Sequence, residues 1–152
     1  MKTMRMRYAA LAAVLVLAIM SSATGAWAQQ TRLKARKSKV INGIEAQLRG
    51  DYRENSTPTK LNADLEDINV PIGTKVAFCL LQNGVKTLIG VGQVALVGGI
   101  PTATIDLSVT DGDSVPNVAA GDVLQAHQRL VAPFNPSPSC SSVLMISGAF
   151  QK

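Results

Sequence analysis

The chain has 152 residues, with 15 Lys and Arg against 10 Asp and Glu, one His, two Cys and one Trp. That length suits one domain. One His and two distant Cys exclude the His/Cys cluster of a protein-held zinc, and neither a G-x-S-x-G elbow nor a phosphate loop with its Lys is present.

Lys2, Arg5 and Arg7 precede an apolar stretch at 9–20, and Ala26-Trp27-Ala28 follows as a small-x-small cleavage site. This is the layout of a secretory signal peptide over residues 1–28. The apolar run is short for a membrane span of about 20 residues. The mature chain is therefore expected to begin near Gln29, to be secreted or periplasmic, and to carry no integral membrane segment. Without the leader, 12 basic residues face 10 acidic ones, a net +2 instead of +5. Five of those 12 are Arg32, Lys34, Arg36, Lys37 and Lys39, so from Val40 onward the balance is 7 against 10, or −3. Residues 29–39 read as a basic, flexible N-terminal arm. The arm is solvated in one reading. In the other it touches an anionic surface such as a membrane, cell-wall polymer or acidic glycan. The domain itself has no basic face and the arm no interleaved aromatics, so the footprint of a nucleic-acid binder is missing.

From Val40 the pattern is period two. Strands are expected near 40–49, 60–67, 74–82, 85–97, 102–109, 122–131 and 142–151, all in one domain, 40–152. The clearest alternation is at 102–109, where Ala103, Ile105, Leu107 and Val109 oppose Thr102, Thr104, Asp106 and Ser108. Such a strand is half-buried. The 74–82 segment is apolar on both faces and reads as central. Asn83-Gly84 and Gly98-Gly99 are hairpin turns that need positive φ twice. Gly90 and Gly92 mark a bend or bulge in a long strand, and residues 132–142, rich in Pro and Ser, form a crossover loop. Seven short strands with hairpins predict an all-β, antiparallel two-sheet sandwich, immunoglobulin-like in architecture. A small open β-barrel is the alternative.

Cys79 and Cys140, an even count in an exported chain, are expected to form a disulfide; the alternative is two free thiols, one of them nucleophilic, although the pair lacks the C-x-x-C spacing of a redox site. The stretch "TDGDSVPNVAAGD" at 110–122 holds Asp111, Asp113 and Asp122. These three are the candidate ligands of a weak extracellular calcium, but Val115 and Pro116 stand where an EF-hand needs a ligand and Gly. The competing reading is turn chemistry, with Val115 and Val118 tucked under the loop. His127 falls on the more polar face of its strand and reads as exposed. Asp51, Glu54, Asp64, Glu66 and Asp67 offer carboxylates for glycoside hydrolysis, yet nothing in the pattern buries them as pKa tuning requires. Asn55-Ser56-Thr57 matches a glycosylation sequon, which matters only in a eukaryotic secretory route.

The segments "INVPIGT", "DGDSVP" and "SGAF" resemble a pattern in small exported bacterial β-sandwich proteins: an N-x-P-x-G-T turn, a D-G-x-x-V-P loop and a closing S-G-x-F strand. The resemblance spans roughly 40–151 and implies fold and export. No activity comes with it. The expectation is a non-catalytic exported module for binding, adhesion or envelope association, with an envelope or extracellular partner and no cofactor other than calcium. The alternatives are a calcium- or carboxylate-assisted hydrolase with its site at 110–122, and a carrier of a small apolar ligand.

Overall fold

The computed structural model describes residues 31–54, 59–129 and 137–152. The expected signal peptide, the sequon at Asn55 and the first part of the crossover loop lie outside them. Nine strands follow in chain order: β1 (Thr31–Ile41), β2 (Ile44–Glu54), β3 (Lys60–Glu66), β4 (Lys75–Gln82), β5 (Val85–Gln93), β6 (Ala95–Val97), β7 (Ile100–Ser108), β8 (Val123–Gln128) and β9 (Val143–Gln151). The only helical element among the described residues is a single 3-10 turn, Val109–Asp111. No helix there is long and apolar enough to cross a membrane.

The strands form one antiparallel sheet in the order β5-β4-β8-β9-β1-β2-β3-β7-β6. The all-β antiparallel expectation holds. The two-sheet sandwich of seven strands does not, for two physical reasons. First, β1 is a strand: Leu33 and Ala35 alternate with Arg32, Lys34 and Arg36, and the apolar pair is buried. Its density of charge reads as a solvated arm, but Arg32, Lys34 and Arg36 take the outward positions of a two-residue period, while Lys37 and Lys39, in phase with Leu33 and Ala35, lie where both faces of the strand are exposed. The whole of β1 pairs with β2, from Thr31↔Glu54 to Ile41↔Ile44. Through Lys34↔Gln151 and Ala35↔Phe150 it also joins β9, which welds the two halves into one sheet. Residues 31–39 are thus part of the fold rather than a flexible arm.

Second, the stretch expected as one strand at 85–97 divides at Val94. β5 pairs with β4 and β6 with β7, so the two ends of the sheet are consecutive in sequence. Val94 is buried; its N–H donates to the Thr74 carbonyl and its carbonyl accepts from Gly73, both at 2.8 Å. β5 then lies against β7. A Cβ on Gly92 would stand 2.7 Å from the Thr104 carbonyl oxygen, and one on Gly90 would stand 3.0 Å from Ile105 Cγ2. Opposite them the β4–β5 register slips between Phe78 and Cys79, the bulge that these glycines suggested. The resulting curl is a half-barrel, nearer to the open barrel than to the sandwich.

The core fills the inside of the curl. The register sets a row of small residues, Ala35, Gly50 and Ala63, across β1, β2 and β3. Leu124 and Phe150 from the other half press into that row, so a Cβ on Gly50 would meet Leu124 Cδ2 at 2.9 Å and Phe150 Cζ at 3.0 Å. Matching small against large residues across facing layers is how interiors reach close packing. β4 is buried on both faces from Val76 to Leu80, as its pattern implied. One end of the curl is closed by the 109–122 loop, whose Val118 is buried and whose Val115 packs against the core. Beneath it, burial pushes the Tyr52 hydroxyl above its ordinary pKa, with a hydrogen bond to the Val118 backbone working against this.

Candidate functional site

Cys79 and Cys140 are bonded, with their Cα atoms 5.8 Å apart. The bridge holds residues 138–142 over the outer face of β4 and β8. Cys79 pairs across the ladder with Gln125, and Ala77 with His127; all four are buried although they point away from the main core. His127 is therefore not the exposed residue its strand pattern suggested: it is 1% exposed. Its Nδ1 lies 2.9 Å from the Ser142 carbonyl and its Nε2 lies 3.1 Å from the Gln125 side-chain amide. A backbone carbonyl only accepts, so in the neutral ring Nδ1 donates to Ser142 and Nε2 accepts from Gln125, whose amide nitrogen and oxygen exchange places by a flip. The ring's two partners account for it as a strut under the strap.

The aspartates of the 110–122 loop serve its turns. Asp113 Oδ2 accepts from the Ser108 N–H at 3.0 Å. Asp122 Oδ2 accepts from the Ala119 N–H at 2.7 Å and from Gln82 Nε2 at 2.6 Å. Asp111 ends the 3-10 turn, followed by Gly112 at φ 84°. Asp113 and Asp122 thus close different turns. Among the described residues no three His, Cys, Asp or Glu side chains stand together as a metal site.

A different constellation emerges where the first and last strands meet. Beyond their two paired residues β1 and β9 stop exchanging ladder bonds but stay close: a Cβ on Gly148 would stand 3.3 Å from Lys37 Cβ and 3.5 Å from the Arg36 carbonyl. Over this seam lies a groove of about 550 Å³, lined by Lys34, Arg36 and Lys37 from one side and by Ser147, Gly148, Ala149, Gln151 and Lys152 from the other. Lys34 and Arg36 also border a smaller depression of about 170 Å³ toward β2, with Arg32, Arg49, Gly50, Asp51 and Asp64. They stand as a ridge between the two hollows, about 7 Å apart along the strand.

The charges of this face are unevenly matched. Arg32 and Arg53 both pair with Asp51, and Arg49 pairs with Glu66. Burial alone would raise the Asp51 carboxyl, but its hydrogen bonds and charge contacts with Arg32 and Arg53 outweigh that and hold its pKa below the ordinary value. Lys34, Arg36, Lys37 and Lys152 make no ion pair among the described residues. No acidic side chain lines the larger groove. Farther along the same seam Lys39 Nζ donates to the Met145 carbonyl at 2.9 Å. There the lining turns apolar, with Val40, Ile41, Val143, Leu144 and Met145 around about 300 Å³.

The cations of this groove are visible in the sequence as a run; their placement is not. The signal that could have found it is the Leu33/Ala35 alternation inside the run. Lys152 and the small residues 147–149 carry no sequence mark of their own. The arrangement offers positive charge, a Ser hydroxyl, a Gln amide and a bare floor, a set suited to holding an anion. None of the three depressions is lined by Asp111, Asp113 or Asp122. Compared with known proteins, the chain matches no protein family, no curated protein and no solved structure.

Proposed function

We propose that this chain is a non-catalytic binding module that works outside the cytoplasm and engages an anionic envelope or extracellular partner through the groove between β1 and β9. The observation that carries the reading is the set of four cations without ion pairs around a concave surface that lacks any acidic side chain. From Val40 onward the chain has a net −3, so this charge is local to the β1–β9 seam rather than a property of the whole surface. The leader-like residues 1–28, the turn motifs shared with small exported bacterial proteins and the Cys79–Cys140 bridge support a location where disulfides persist. The volume of the groove falls within the range of ordinary ligand sites.

The test is an NMR titration of the mature protein with anionic probes of different architecture: inorganic phosphate, vesicles containing phosphatidylglycerol, and an acidic polysaccharide. At least one should shift resonances of β1 and β9 while leaving β5 and β6 unmoved. If none of them perturbs β1 and β9 at low salt, the groove is not a binding surface and the reading fails.

A further inference from the structure

Three features outside the core stand out: the apolar tip of the β6–β7 hairpin, the buried His127 under its disulfide strap, and the groove. The tip exposes Leu96, Val97 and Ile100, but nothing in the structure says what covers it. His127 is already satisfied by Ser142 and Gln125. The groove carries an inference further, one that rests on the binding role proposed above. We propose that its occupant is a linear acidic polysaccharide, with successive carboxylate or phosphate groups set against Lys34, Arg36, Lys37 and Lys152.

The size of the groove, the spacing of its cations and its lining all favour a polymer. At about 550 Å³ it is far larger than a single phosphate or carboxylate needs, so an isolated anion would leave most of it empty. Lys34 and Arg36 repeat every second residue, about 7 Å apart, and so present charge at intervals along a line. A chain with regularly spaced anions meets such a row; a compact multivalent ion does not. The non-ionic lining is Ser147, Gln151 and the small residues Gly148 and Ala149. Ser147 offers a hydroxyl that both donates and accepts, and Gln151 an amide that does the same, which suits sugar hydroxyls.

The other macromolecules are less well served. No aromatic side chain lines the groove, so there is no platform on which nucleic-acid bases could stack. An acidic peptide adding as a strand needs a free edge with room beside it; past Ala35 the β1 edge has no ladder partner, but Gly148 of β9 lies directly against Arg36 and Lys37 and fills that room. A flat membrane meets the ridge of Lys34 and Arg36 but does not fill the hollow beside it, which Ser147 and Gln151 line. The lack of aromatics also disfavours neutral sugars, which leaves charge as the chief attraction and makes binding sensitive to salt.

The experiment measures affinity of the mature protein, by fluorescence anisotropy at low salt, for labelled oligogalacturonates from one to six units. Vesicles containing phosphatidylglycerol and polyglutamate are run beside them. Affinity should rise with oligomer length and then level off. Lys34→Glu with Arg36→Glu should lower it by about tenfold or more, the loss of two charge-assisted contacts. Lys86→Glu, exposed on β5, should leave it unchanged, and thermal melting should show all variants folded. A monomer that binds as tightly as the hexamer overturns the linear-polymer assignment. Binding of vesicles or polyglutamate without binding of oligogalacturonate overturns the glycan while leaving the anion-binding groove intact. Failure of all probes removes both.

Discussion

Substituting Gly92 by Ala tests the curl of the sheet at its tightest point. The new methyl would stand 2.7 Å from the Thr104 carbonyl oxygen and 2.9 Å from its amide nitrogen, both backbone atoms of β7. Backbone cannot rotate out of the way as a side-chain terminus can, so β5 and β7 must separate. Overpacking of this kind costs about 3 kcal/mol. Removing a glycine returns up to about 1 kcal/mol through the unfolded chain. The net expectation is a loss of about 2 kcal/mol, which lowers the melting midpoint by about 7 °C in a domain of this size. Gly90→Ala is the internal comparison. Its methyl meets only the Ile105 side chain, nearest at 3.0 Å, and the two effects nearly cancel. Urea unfolding of both variants reads the difference. A Gly92→Ala protein within about 0.5 kcal/mol of wild type, the range of an ordinary surface change, would mean that β5 does not approach β7.

Other expectations follow from named contacts. Replacing both Cys79 and Cys140 by Ser should cost about 4 kcal/mol on the loop-entropy account of a bridge spanning 61 residues, read by denaturant unfolding against the oxidised protein; an unchanged midpoint would contradict it. His127→Ala leaves the Ser142 carbonyl and the Gln125 amide without their partner and opens a cavity, so a loss of about 3 kcal/mol is expected in the same assay. Asp51→Asn should cost only about 0.5 kcal/mol at neutral pH, because its pairs with Arg32 and Arg53 face solvent. Asp51 titrates lower when folded than when unfolded, so its contribution is present above the unfolded value near 3.8 and fades as pH falls through the lower folded value. Stability curves of Asp51→Asn and wild type should therefore converge in acid; a gap that widens there would refute the pairing.

Much of the fold could be read from residue patterns because turns and alternation are local. Asn83-Gly84 and Gly98-Gly99 do make hairpins, each with positive φ at both positions. The same signal stands at Asn42-Gly43, with φ 51° and 82°, yet it falls inside the stretch expected as one strand at 40–49. Reading it as a turn would have required a partner strand before it, and that partner was hidden under the charges of 32–39. The joining of the two halves depends on Lys34↔Gln151 and Ala35↔Phe150, contacts between opposite ends of the chain that no local window contains. His127 was misplaced for a related reason. Its own strand cannot reveal a cover that a distant disulfide ties across it. The turn bonds of Asp113 and Asp122 are legible in the loop's own sequence, since Asx-type hydrogen bonds are set by near neighbours.

The groove exists only because the basic segment is a strand seated between β2 and β9. Amide hydrogen exchange of residues 31–41, followed residue by residue in the mature protein at neutral pH, tests it directly. Protection of the β1 amides that face β2, comparable to that of β2 and β3, is the predicted result. Exchange across 31–39 at the rate of an unstructured chain, with β2 still protected, would contradict it.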